Sequence, residues 1–194
     1  MRLLMLGLIS TTLTACVLTN ESTISTHGLI TENEPETQVT QACIGSVGLP
    51  AHLKNSMVKA QDTTLLNNSI GEPNAGKLCQ GQVYETTQAI TLFRAWNSTN
   101  PNSQLGRWWA HSKPTGLVAD YRQDYEICYQ WSPLDVMSTC TLKAGVKVVL
   151  GTGQSAQCSE YLTYPVSDAQ QIYIENASEL LEKCETKQGV FAWE

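Results

Sequence analysis

Alternating and runlike apolar positions divide the chain after residue 80 into short segments. "QVYETTQAITLFRAW" (82–96) carries β-branched and aromatic residues throughout its second half and predicts a strand. "YEICYQW" (125–131) and "TCTLKAGVKVVLGTG" (139–153) read as strands, the second broken by a turn at Gly145. "QQIYIEN" (170–176) predicts a strand with Ile172 and Ile174 on one face and Tyr173 on the other. "ASELLEKC" (177–184) reads as a short amphipathic helix with Leu180 and Leu181 inward. Upstream, "LPAHLKNSMVKAQDTTLL" (49–66) carries a short helix after Pro50, and "NNSIGEPNAGKLC" (67–79) is a turn-rich loop. Residues 17–40 are rich in Thr, Ser, Asn and Glu without sustained periodicity, which predicts a flexible tether; Glu32, Glu34 and Glu36 within it are a solvated charge run. No repeat or low-complexity segment interrupts the rest. Residues 41–194 therefore form one α+β domain with more strand than helix.

The first residues change this picture by assigning a compartment. "MRLLMLGLISTTLTAC" places Arg2 before an apolar run too short to span a membrane, then closes on "LTAC". That ending resembles a bacterial lipoprotein cleavage site. The resemblance implies a signal peptide over 1–15 and a mature chain whose first residue, Cys16, is acylated and anchors the protein to a membrane. Val17, not aspartate, follows the lipid cysteine, which by the same resemblance implies the outer membrane of the cell envelope. Six cysteines then remain: Cys43, Cys79, Cys128, Cys140, Cys158 and Cys184. An even number in an exported chain reads as a disulfide framework with fifteen possible connectivities; Cys128 with Cys140 is one pairing that two neighbouring strands would allow. No CxxC occurs and the three histidines are scattered, so no metal site is expected. Loss of Arg2 leaves eleven Lys and Arg against eighteen Asp and Glu, a formal charge of −7, and no basic cluster. Nucleic acid is not an expected partner.

The candidate chemistry lies in residues 91–116, "TLFRAWNSTNPNSQLGRWWAHSKPTG", which hold three of the five tryptophans and two arginines within Arg94 to Trp109. No GxSxG elbow accompanies them, and "GTGQSA" (151–156) lacks the Lys and Ser/Thr of a phosphate loop. "LFRAW", "LGRWWAHSKPTG", "CTLKAGVKVVLGTGQSAQ" and "DAQQIYI", in that order, resemble the ADP-ribosyltransferase-like toxin domains of bacterial polymorphic toxins. The tuberculosis necrotizing toxin family, with its NAD glycohydrolase activity, is similar more distantly. The resemblance covers about residues 83–175. It implies a fold of split antiparallel sheets with short flanking helices, here disulfide-stapled, and NAD as substrate.

Carried over by position, Arg94 is implied to hold the dinucleotide phosphates. Gly106, Arg107, Trp108 and Trp109 would line the nicotinamide side. Gln171 is the implied glutamine of the site, with Gln170 its alternative if the register shifts by one. A guanidinium suits a pyrophosphate, and tryptophan faces suit a cationic ring. The site would cleave the nicotinamide–ribose bond by hydrolysis or by transfer to a protein acceptor, and an immunity partner would accompany a toxin.

The chain departs from the family where relatives carry Gly-Gly-Gly-x-Gln and it has "SDAQQ", and Glu175 does not form the paired acids of protein-modifying relatives. A catalytically inactive envelope binding or structural lipoprotein on the same fold is the alternative. Plainer roles also exist for single residues: Arg94 in a salt bridge with Asp120 or Asp124, Arg107 solvated, Trp96 in the core, His111 in a loop, and Tyr125, Tyr129 and Trp131 as packing aromatics.

Overall fold

The computed structural model describes residues 42–188 and 192–193, which belong to one compact unit, 39–194. Cys16, the signal peptide and the tether lie outside the described residues. Twelve strands occur among those described: β1 (Met57–Lys59), β2 (Leu78–Thr86), β3 (Ile90–Trp96), β4 (Trp108–Ala110), β5 (Gly116–Leu117), β6 (Val136–Leu142), β7 (Lys147–Gly153), β8 (Ala156–Gln157), β9 (Thr163–Tyr164), β10 (Gln170–Tyr173), β11 (Leu181–Gln188) and β12 (Ala192–Trp193). Three short helices join them: α1 (Thr63–Ser69), α2 (Val118–Asp124) and α3 (Ala177–Leu180). Eight strands form one sheet in the order β1-β2-β7-β10-β4-β3-β6-β11, antiparallel throughout. Two small pairs, β12-β5 and β8-β9, lie apart from it.

Local chemistry accounts for much of this. The chain turns between β6 and β7, which are not neighbours in the sheet, at Gly145, whose φ of +75° only a residue without Cβ adopts freely. Asp62 caps α1, its Oδ1 accepting from the Leu65 amide at 3.0 Å. The segment after Pro50 is a single 3-10 turn, Ala51–Leu53, and the helix follows β1. The amphipathic helix expected over 177–184 stops after one turn. From Leu181 the chain is strand, paired with β6 and tied to it by Cys140–Cys184.

Alternation distributes the core between the two faces of the sheet. One face carries Leu92, Trp109, Leu142, Val148, Leu150, Ile172 and Ile174 in a continuous buried cluster. The other carries two separate clusters. One, around α1, holds Leu65, Leu78, Val83, Val149 and Tyr173; the other, around α2, holds Ala95, Val118, Tyr121, Leu134 and Met137. The expected split of Ile172 and Ile174 from Tyr173 is therefore observed. The adjacent tryptophans divide in the same way: Trp109 is in the first cluster, while Trp108 is half-buried against Tyr173, ring centroids 4.8 Å apart.

Three disulfides staple the fold: Cys43–Cys79, Cys128–Cys158 and Cys140–Cys184. This corrects the Cys128–Cys140 pairing. Cys128 is not on a strand, because "YEICYQW" is not one. After α2 the backbone turns through Glu126 at φ +46° and runs irregularly to the Cys158 loop. Tyr129 and Trp131 are correspondingly not packing aromatics; they stand 73% and 52% exposed.

Candidate functional site

The joint between β4 and β3 determines where a site can form. These strands pair at one position, Phe93 with Ala110, whereas β3 and β6 pair over seven residues, Ile90 to Trp96. Beyond that single pair the guanidinium of Arg94 takes over from the ladder. Its Nε donates to the carbonyl of Ser103 at 2.8 Å and its Nη1 to the carbonyl of Trp108 at 2.6 Å. Its Nη2 lies against Gly106, where a Cβ would sit 2.3 Å away. Burial draws the Arg94 pKa down from its ordinary value, with Tyr121 opposing, but a guanidinium keeps its charge. The salt bridge to Asp120 or Asp124 does not form; among the described residues the ion pair present is Lys147 with Asp62.

A cavity of about 180 Å³ opens beside this joint. Arg94, Trp96, Trp108, Trp109, Gln171 and Glu126 line it, together with Tyr121, Tyr125 and Leu134 from the α2 side. It thus occupies the interval between the two separate clusters of one face. The parted β3 and β4 admit Arg94, Trp96 and Trp109, which alternation would assign to the opposite face. Its rim includes the exposed Trp131 and Lys77. An apolar cavity of about 150 Å³ accepts benzene, so this space suits one aromatic ring.

Gln171 on β10 is 5% exposed, and its side-chain amide makes no hydrogen bond among the described residues. Gln170 is occupied elsewhere: its Nε2 donates to the carbonyls of Ser46 at 2.7 Å and Gly48 at 2.8 Å. Trp96 is buried and donates from Nε1 to Ser138 Oγ at 3.0 Å. Trp109 is held by its Nε1, which donates to the Gly106 carbonyl at 2.7 Å. Arg107 is exposed beside Tyr173 and outside the lining of the cavity. Gly106 acts through its backbone and its missing Cβ. His111 packs on His52, ring centroids 5.0 Å apart, and burial together with His52 lowers its pKa to about 4. Glu175 is engaged by Asn68, whose Nδ2 donates to it at 2.6 Å.

The sequence did not single out Glu126. It is 2% exposed, and neither carboxyl oxygen has a hydrogen-bond partner among the described residues. The Ser167 hydroxyl and amide are both near enough to lower its pKa in part, but they donate elsewhere, the hydroxyl to the Asp124 carbonyl at 2.5 Å and the amide to the Gly153 carbonyl at 3.4 Å. Burial dominates and pushes the Glu126 pKa up to about 9. The carboxyl lies flat on β7, at a place open only because residue 153 is glycine: a Cβ there would stand 1.8 Å from Oε2. The only sequence sign of this arrangement is Gly153 at the end of a strand of branched residues.

A substitution tests the Arg94 cradle directly. Gly106→Ala drives a Cβ into the guanidinium and breaks its bonds to Ser103 and Trp108. We expect a loss of about 2–3 kcal/mol in urea unfolding. Arg94→Ala in the same chain should make the two losses markedly less than additive. Additive losses would show that Gly106 does not serve Arg94.

No family model, curated protein or solved structure matches the chain.

Proposed function

We propose that this protein is a lipid-anchored component of the bacterial cell envelope whose domain binds NAD and cleaves its nicotinamide–ribose bond. Cys16 provides the anchor and the outer membrane is its location. The fold in this reading is ADP-ribosyltransferase-like, with the single-pair joint between β3 and β4 as the split of its sheet. One observation carries the proposal: Arg94, Trp108, Trp109 and Gln171, separated by up to 77 positions in the sequence, line one ring-sized cavity.

In the proposed complex the nicotinamide enters the cavity between Trp108 and Gln171. The pyrophosphate stays at the rim, where Arg94 and Lys77 supply positive charge. Bond breaking develops an oxocarbenium-like ribose, favoured by exclusion of water and by fixed dipoles such as the Gln171 amide. No metal is invoked. The acceptor is water or a protein side chain.

The test is nicotinamide release from NAD by the oxidatively folded protein. Arg94→Ala should lower kcat/KM by about 10²–10³, the loss typical of removing one charge-stabilising group. Adding Gln171→Ala should abolish turnover. A folded protein that releases no nicotinamide at millimolar NAD would favour the inactive envelope-binding alternative. The commitment of Arg94 Nε and Nη1 to backbone carbonyls already suits that alternative.

A further inference from the structure

Glu126 stands where a fold alone would place glycine. Its amide donates to the Gln123 carbonyl at 3.4 Å and the Ile127 amide to the Arg122 carbonyl at 2.9 Å, the paired bonds of a Schellman ending to α2. Glu126 occupies the left-handed position of that motif, φ +46°, where glycine is the common residue. The same residue is buried without a hydrogen-bond partner among the described residues and is accommodated by a glycine, Gly153. A strained backbone and an unpartnered carboxyl coincide at the wall of a cavity that Arg94 and Gln171 also line. Such coincidences cluster at functional sites.

The surroundings define what the carboxyl can do. Asp124 at the end of α2 acts on it with like charge, and Tyr125 beside it has its own ionisation opposed by burial, Tyr121, Asp124 and Glu126. Asp168 and Asp120 act on Asp124 in turn. The cations sharing the cavity wall are Arg94 and Lys77, and neither is paired with Glu126. The empty site therefore holds a neutral carboxyl that a new positive charge would ionise.

We propose that Glu126 is the acid–base group of this site: protonated while the cavity is empty, it releases its proton as a cationic ring enters. The inference rests on the NAD reading. In the reaction the ring–ribose C–N bond breaks and its electron pair passes to the ring nitrogen, which becomes neutral. The oxygen of a water molecule bonds to the ribose carbon, and a proton of that water goes to the Glu126 carboxylate. Glu126 ends the cycle protonated, and the proton released on binding remains in solution. Gln171, which cannot accept that proton, orients the water or the ribose hydroxyls.

Two measurements on the whole protein decide this. In calorimetry in buffers of different ionisation enthalpy near pH 7.5, the N-methylnicotinamide cation should release about one proton on binding, and neutral nicotinamide none. Glu126→Gln, which keeps the shape of the neutral acid, should release none with either. The same variant should lower kcat for nicotinamide release by about 10²–10⁴ while leaving the Kd for ADP-ribose within about threefold. Proton release unchanged in Glu126→Gln, or none in the wild type, overturns the proposal. So does turnover that survives Glu126→Gln but not Arg94→Ala with Gln171→Ala, an outcome that leaves the NAD reading standing. Absence of any ring binding or turnover overturns both.

Discussion

Reduction of the three disulfides is expected to unfold the domain at 25 °C without denaturant. The bonds close loops with separations of 36, 30 and 44 residues. Loop-closure entropy assigns each about 3.5–4 kcal/mol, and native strain or residual denatured structure lowers such figures. Even so, their sum is on the order of 10 kcal/mol, comparable to the whole stability of a domain this size, about 5–15 kcal/mol. Little else replaces them. Among the described residues the helices are one or two turns long, and the face that holds the cavity has two separate clusters. Near-UV circular dichroism after a phosphine reductant, with the alkylated protein as control, should show loss of tertiary signal. Retention of a cooperative transition near the oxidised midpoint would mean that the core alone carries the fold. Of the three bonds, Cys128–Cys158 should matter most to the site. It fixes the irregular segment between Glu126 and Trp131, and the Gln130 side chain donates to the Cys158 carbonyl beside it. Dependence on all three bonds would also agree with the proposed export, because disulfides persist in oxidising compartments.

The parts of this molecule that were legible in sequence are those set by local chemistry. Gly145 between "TCTLKA" and "VKVVLG" announced the turn that separates β6 from β7, and the alternation in "QQIYIEN" sorted Ile172, Tyr173 and Ile174 correctly between faces. The expectation failed where a local pattern had more than one outcome. "YEICYQW" has the composition of a strand, yet the Schellman bonds at Glu126 and the bridge from Cys128 to Cys158 bend it into a turn. "ASELLEKC" has helical spacing, but pairing of Leu181 onward with β6 ends the helix after one turn. Disulfide connectivity depends on which strands meet, and spacing cannot supply that. Within the site, Arg94 and the tryptophans were visible because arginine inside an apolar strand is unusual. Glu126 was not visible: an acid between Tyr125 and Ile127 reads as the solvent side of a strand. Its burial arises from β7 packing across it at Gly153, a contact 27 positions away.

Glu126→Gln is expected to make the protein more stable above pH 7 and to remove the alkaline part of its pH dependence. The folded protein holds the Glu126 proton up to pH about 9, whereas an unfolded glutamate loses it near its ordinary value of 4.5. Between those limits the folded state binds more protons than the unfolded one. The contribution of Glu126 is thus fully present below about pH 4.5 and is lost as pH rises toward 9. The limiting slope is about 1.4 kcal/mol per pH unit, so the loss by pH 7 is on the order of 3 kcal/mol. His111 works in the opposite sense. Its pKa is lowered to about 4, so its contribution is present above the ordinary histidine range and is lost as pH falls from there toward 4. The two slopes offset one another between about pH 4.5 and 6.5, where wild-type stability should be nearly flat; above that range Glu126 acts alone and stability should fall. In Glu126→Gln the backbone strain at φ +46° remains and the amide fills the same space, so the difference isolates the titration. Urea midpoints at pH 5 should nearly coincide for the two proteins, and at pH 8 the variant should unfold at distinctly higher urea. Parallel profiles would mean that the carboxyl is ionised and solvated in the native protein, which its burial against Gly153 argues against. A gain in stability combined with the loss of turnover expected for the same variant has one physical explanation: the carboxyl is kept buried for the ligand, at a cost to the fold.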